Sequence, residues 1–157
     1  MTCNGPSEDG MDPIGLWSDL RRGSIGAVVD SGPSWVLRVV QAGEQVIDAI
    51  VTPWGGAGGF APPGAAGAGA YVSWGGFTQP GRAFIIGGRA SREVERLVVT
   101  LDDGSLLGIR PVGLDLGLPW VFFAAELPLG RRPVAIDVLD AAGSVLERID
   151  VSAPLEV

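Results

Sequence analysis

The sequence predicts an all-β protein: an antiparallel β-sandwich with one short N-terminal helix, or alternatively a small β-barrel. The hydrophobic period changes from helix-like to two at Ile25, and turn residues then recur at roughly the spacing of 8 to 12 residues typical of sandwiches and barrels. Three pairs of neighbouring segments can also be matched as hairpins. Counting strands does not decide whether they close into a barrel, so both architectures stay open.

Two features precede the first strand. Residues 1–11 are small, polar and acidic without periodicity, which predicts a disordered tail. Asp12 and Pro13 then resemble a helix N-cap and a proline at the first helical position, and Trp17 lies on an apolar helical stripe. We therefore expect a single β domain at residues 12–157 that begins with a short helix.

The strands are predicted from short β-branched segments between turn residues. Residues 120–126 contain the run WVFFAA, which does not alternate and so predicts a strand that is covered on both faces. The ten predicted strands are 25–29, 35–41, 45–51, 70–75, 83–87, 94–101, 106–111, 120–126, 133–139 and 145–151.

The first hairpin is predicted from its turn. Asp103 and Gly104 form the dipeptide typical of a two-residue type I′ turn, which would place Leu101 opposite Leu106.

Charge pairing predicts the register of two more hairpins. A three-residue loop around Gly43 would place Arg38 opposite Asp48, whereas the alternative register would place Asp48 opposite Leu37. A four-residue loop at 141–144 would likewise place Asp137 opposite Arg148.

Composition excludes several kinds of chemistry. The chain has no histidine and one cysteine, which excludes His-dependent nucleophile pairs and makes zinc and iron–sulfur sites unexpected. We expect no cofactor and no metal site, and folding without metal or disulfide. The net charge of −7 and the lack of a basic stripe argue against nucleic-acid binding, and no apolar run is long enough for membrane insertion by a helix.

Composition also bears on origin and location. All 11 basic residues are arginine, which together with 25 glycines is typical of high-GC genomes such as those of actinomycetes. Residues 1–10 lack the charged and apolar regions of a signal peptide, so a cytoplasmic location is the default expectation.

One carboxylate stands out as a weak catalytic candidate. Glu126 ends the apolar WVFFAA run, where desolvation would raise its pKa and make it a proton donor. The alternative is that Glu126 lies at the end of its strand and reaches solvent before Pro128.

The most unusual segment is a loop of glycine, alanine and proline at residues 53–69, whose length is uncommon in a compact domain. We expect its aromatic neighbours to form a binding surface, or alternatively to seal the ends of the core. The candidate binding residues are Trp54, Phe60, Tyr71, Trp74 and Phe77.

The C-terminal third resembles a known sequence pattern. The segments VERLVVTLDDGSLLGIRPV at 94–112, WVFFAAELP at 120–128 and PVAIDVLDAAGSVLERID at 133–150 are similar to β-sandwich domains of uncharacterised actinobacterial proteins. The resemblance implies an all-β fold and carries no activity onto named residues.

These observations favour a non-enzymatic binding or assembly module that contacts a protein partner or a second copy of itself through the glycine-rich loop. The alternative is a β-barrel that binds an apolar small molecule, including a cofactor-free cyclase or isomerase that would use shape and one carboxylate.

Overall fold

A computed structural model describes residues 26–151, and this part of the chain contains only short elements besides β-strands. The predicted tail and N-terminal helix lie outside these residues. The chain divides into two compact units between Gly59 and Phe60. One domain over residues 12–157 stays a prediction.

The first unit contains one antiparallel sheet of four strands in sequence order. Its strands are β1 (Ala27–Ser31), β2 (Val36–Ala42), β3 (Gln45–Thr52) and β4 (Gly55–Gly58). Alternation along β2 buries Leu37 and Val39 and leaves Val36 and Arg38 partly exposed, as expected when one face of a sheet packs against a core.

The second unit contains two antiparallel sheets. One has the order β5-β6-β9, formed by Val72–Phe77, Ile85–Ser91 and Trp120–Glu126. The other has the order β11-β10-β7-β8, formed by Val145–Asp150, Pro133–Leu139, Arg96–Leu101 and Leu106–Ile109. A 3₁₀ turn at Leu114–Leu116 precedes β9.

Both sheets of the second unit contribute to one hydrophobic core. Ile86 and Phe123 come from the first sheet, and Leu97 and Ile136 come from the second; each has no more than traces of exposed surface. Two sheets whose inner faces share a core form a β-sandwich. None of the three sheets in residues 26–151 closes on itself, so the all-β sandwich is confirmed and the closed alternative is wrong for this part of the chain.

All ten predicted strands are present, with boundaries that differ by up to a few residues. The structure adds β4, which lies within the predicted loop at 53–69 and pairs with β3 through Ala49 and Gly58. The segment lacks the side-chain pattern of a strand, since β4 consists of three glycines and one alanine. Backbone hydrogen bonds to β3 alone define it.

The predicted register of the β2–β3 hairpin is wrong. Arg38 lies opposite Ala49, and Asp48 lies opposite Val39. The alternative with Asp48 opposite Leu37 is wrong as well. Since successive side chains alternate between the two faces of a strand, this register places Arg38 and Asp48 on opposite faces.

The turn of this hairpin explains the register. Ala42 pairs with Gln45, so the loop contains only Gly43 and Glu44. Gly43 has a φ of 63°, and a positive φ at the first of two loop residues is what a type II′ hairpin turn requires. A register fixed by the turn leaves Arg38 and Asp48 unable to meet.

The Asp103–Gly104 hairpin also differs from its prediction by one residue. Thr100 pairs with Leu106, and Leu101 donates its backbone N–H to Ser105. The loop therefore has three residues and ends on Gly104 at a φ of 88°, as in a hairpin loop with a left-handed residue at its third position.

The register of the last hairpin is confirmed. Asp137 lies opposite Arg148. The loop is one residue longer than expected, because Asp140 leaves the strand and its Oδ1 accepts the N–H groups of Ala142 and Ser144. A bulge between Val138 and Leu139 accommodates this loop.

Candidate binding surface around strand β5

Strand β5 carries one of the predicted aromatic residues on an edge of the sandwich. Trp74 shares a face with Val72, and both pack against the core, Val72 fully buried and Trp74 partly exposed. Ser73 and Gly75 face the other way. Because β5 is the outermost strand of its sheet, the exposed part of Trp74 lies at the sandwich edge.

Trp74 lines a groove of about 340 Å³, which we name the Trp74 groove. Its walls come from the end of the glycine-rich segment, the start of β5 and the middle of β11: residues Gly67, Ala68, Gly69, Val72, Ser73, Trp74, Glu147, Arg148 and Ile149. Strand β11 is also an edge strand of its own sheet. The groove therefore joins one edge of each layer.

Glu147 fixes the glycine-rich segment beside this groove. Its carboxylate accepts the backbone N–H of Ala70 at 3.2 Å and that of Tyr71 at 3.0 Å. A hydrogen bond from Gly64 N–H to the carbonyl oxygen of Gly69, at 2.7 Å, closes the preceding turn. The two hydrogen bonds to the Glu147 carboxylate are charge-assisted, and such bonds are among the stronger ones in proteins.

These contacts order the segment from within the chain. Side chains of glycine and alanine bury little surface, but a carboxylate on a distant strand binds the backbone directly. An external partner is therefore not needed to hold residues 60–71 in place.

The structure places the five predicted aromatic residues in different environments. Trp54 belongs to the first unit, in the turn between β3 and β4. Phe60 covers Gly75, where an added Cβ would lie 2.6 Å from the ring. Tyr71 packs against the core, and Phe77 pairs with Ile85 at the far end of β5.

Only Trp74 among the five lines the groove. Phe60 packs over the face of β5 that is opposite to Trp74, since Gly75 and Trp74 are successive residues of the strand. Four of the five aromatic residues thus lie on β5 or next to it. Because side chains alternate along the strand, Trp74 lies on one face, and Phe60 and Phe77 lie on the other.

Glu126, the weak catalytic candidate, is the last residue of β9 and lies opposite Ile85. Its side chain is partly exposed at this strand end. Within residues 26–151, no group of three or more histidine, cysteine, aspartate or glutamate side chains is placed to hold a metal ion.

Two charged residues are buried, a burial that the sequence patterns above did not predict. Arg89 is 4% exposed, and its guanidinium carbon lies 4.9 Å from the ring centroid of Trp120, a cation–π distance. Asp48, in the first unit, is fully buried on the face of β3 that also carries Val46, Ile50 and Thr52. The signal for Arg89 was available, because it is the only charge in the strand IIGGRAS.

No helix in the described part of the chain is long and apolar enough to span a membrane. Comparison of the chain with protein-family models, with curated proteins and with solved structures finds no match.

Proposed function

We propose that this protein is a non-enzymatic binding or assembly module, and that the Trp74 groove receives a protein partner or a second copy of the chain. The observation that supports this most directly is the position of Trp74, partly exposed in a groove between the edge strands of two sheets. Tryptophan is enriched among the residues that contribute most to protein–protein binding.

The edge strands add a second kind of contact. An outermost strand presents backbone N–H and C=O groups on its outer side, which an added strand can bind. Strands β5 and β11 both have this position in their sheets. An extended segment of a partner could pair with one edge and insert an apolar side chain beside Trp74.

The order imposed by Glu147 favours such a role. A segment that is already fixed in the free protein loses less conformational entropy when it binds, and this raises affinity. The hydrogen bonds from Ala70 and Tyr71 to Glu147 hold one wall of the groove in this way. The wall of the groove is therefore ordered before binding, unlike a disordered loop that becomes ordered only on its partner.

The alternative function required a closed barrel that binds an apolar small molecule, and we do not propose it because none of the sheets in residues 26–151 closes on itself. Two further statements remain predictions from the sequence. The net charge predicts that the protein does not bind nucleic acid, and the sequence of residues 1–10 predicts a cytoplasmic location.

The experiment uses a charge placed in the groove. Ala68 lines the groove and Ala66 lies two residues earlier, exposed and outside it. We expect Ala68→Arg to abolish association and Ala66→Arg, the matched control, to retain it. Self-association is measured by sedimentation velocity over a range of concentrations, and complexes from the native host by native mass spectrometry of the purified protein.

Trp74→Ala serves as a second variant, with its melting temperature measured because Trp74 also packs against the core. A protein that stays monomeric and without partner in both measurements contradicts the proposal. So does an association that Ala68→Arg leaves unchanged.

A further inference from the structure

A second groove lies at the other end of β5, and its charge is unlike that of the protein as a whole. It measures about 470 Å³ and is lined by Thr78, Gln79, Pro80, Arg82, Phe84, Gly130, Arg131 and Arg132. Three of the 11 arginines of a chain with a net charge of −7 thus line one groove, and none of the lining residues is acidic. We name it the arginine groove.

The topology of the β5-β6-β9 sheet explains why these three arginines lie close together. Strands β5 and β9 both pair antiparallel with β6 and therefore run in the same direction. The turns that follow them must then emerge at the same end of the sheet. One turn supplies Arg82 and the other supplies Arg131 and Arg132, and a hydrogen bond from Leu127 N–H to the carbonyl oxygen of Phe84, at 2.8 Å, joins the two segments.

Two carboxylates lie next to Arg131, one member of this cluster. Arg131 Nη1 lies 3.4 Å from Asp102 Oδ1, and Arg131 Nε lies 3.9 Å from Asp103 Oδ2. Arg132 is exposed and forms no ion pair with any side chain in residues 26–151. Since Arg132 has no such carboxylate beside it, its positive charge would attract an anion into the groove.

We propose that the arginine groove binds a small molecule through a phosphate or carboxylate group. The guanidinium fork matches both oxyanions, often with two parallel hydrogen bonds. The volume of the groove is in the range typical of small-molecule sites, roughly 300 to 1,000 Å³. Phe84, 8% exposed at the groove, offers an apolar contact for the remainder of the ligand.

This site is separate from the Trp74 groove, which is lined by the start of β5 rather than by the turn after it. A failure of either proposal therefore leaves the other standing.

The test titrates the protein with pyrophosphate and, in a second arm, with citrate, each at constant ionic strength. Binding is followed by isothermal titration calorimetry and by amide chemical shifts of residues 78–84 and 130–132. We expect saturable binding that Arg132→Gln and Arg82→Gln each weaken about tenfold or more, the loss of roughly one charge-assisted hydrogen bond. Binding of pyrophosphate alone assigns a phosphate ligand, and binding of citrate alone a carboxylate ligand.

Arg110→Gln is the matched control, because Arg110 is also exposed and lies outside the groove, 3.3 Å from Glu95. It removes the same charge and is expected to change affinity less than about twofold, as an effect of net charge alone. Melting temperatures show whether the variants fold; if Arg82→Gln does not, the exposed Arg132 carries the test. No saturable binding of either anion, or equal weakening by Arg110→Gln, overturns the proposal.

Discussion

In the β10–β11 hairpin, Arg148 Nη1 donates hydrogen bonds to both carboxylate oxygens of Asp137, at 2.7 and 2.9 Å, whereas in the β2–β3 hairpin Arg38 and Asp48 lie on opposite faces. Both pairs consist of an arginine and an aspartate on adjacent antiparallel strands.

Burial and turn geometry separate the two hairpins. The Asp137–Arg148 pair is on the accessible side of its ladder, with the Arg148 side chain 61% exposed. The register that suits the turn of this hairpin therefore also places the two charges opposite each other. Asp48 is fully buried on its face of β3, and the two-residue turn at Gly43 sets the register. An exposed ion pair contributes too little to shift a ladder whose buried face and turn both favour another register.

The largest expected effect comes from removing the buried aspartate, Asp48, and a much smaller one from removing Asp137. We expect Asp48→Ala to lower the free energy of unfolding by about 2–4 kcal/mol, because it removes a buried polar interaction of Asp48 and leaves a cavity. Asp137→Ala should cost less than about 1 kcal/mol, as for other accessible ion pairs. Urea unfolding followed by circular dichroism measures both, and equal costs would contradict the distinction.

Double-mutant cycles test the two registers themselves. Substituting Asp137 and Arg148 by alanine, singly and together, should give a coupling free energy of about 0.2–1 kcal/mol, typical of cross-strand charge pairs. The same cycle on Arg38 and Asp48 should give a coupling near zero, because the sheet separates the two side chains. A coupling at Arg38–Asp48 as large as that at Asp137–Arg148 would refute the observed register.

The smallest effect concerns the β7–β8 hairpin, where the carboxylate of Asp103 organises the turn and no opposite charge lies across the ladder. Hydrogen bonds from the hydroxyl and the backbone N–H of Ser105 hold the pKa of Asp103 below its usual value, with a smaller contribution from Arg131. Ser105→Ala should raise this pKa toward the usual value, as measured by an NMR titration of the Asp103 carboxyl carbon.

The sign of the accompanying pH dependence follows from the direction of this shift. A carboxyl whose pKa is lower in the folded state stabilises the fold above its unfolded pKa, and this contribution disappears as the pH falls through its folded pKa. Ser105→Ala should therefore reduce the loss of stability on acidification. An unchanged pKa of Asp103 in the variant would show that the Ser105 hydroxyl does not act on it.

The sequence located the candidate site only in part. Trp74 was among the predicted aromatics, and it lines a groove with the end of the glycine-rich segment. The contribution of Glu147 was not predictable, because this residue is 76 positions away from Tyr71 and reaches it through the packing of two sheets. The arginine groove was missed for the same reason, since Arg82 and Arg132 belong to turns far apart in the chain.

The sequence by itself determined the all-β class, ten of the strands and the register of the last hairpin, because these depend on local periodicity, turn residues and a pair of side chains on an open face. Only the tertiary structure decided the registers at Gly43 and Gly104, the short strand of glycines at Gly55–Gly58, and the burial of Asp48 and Arg89. Each of these depends on backbone hydrogen bonds or on which face is covered. Every residue has the same backbone groups, and coverage depends on distant segments. A local feature, such as the single charge in IIGGRAS or the glycine at position 43, therefore marks an unusual position without identifying its contacts or its register.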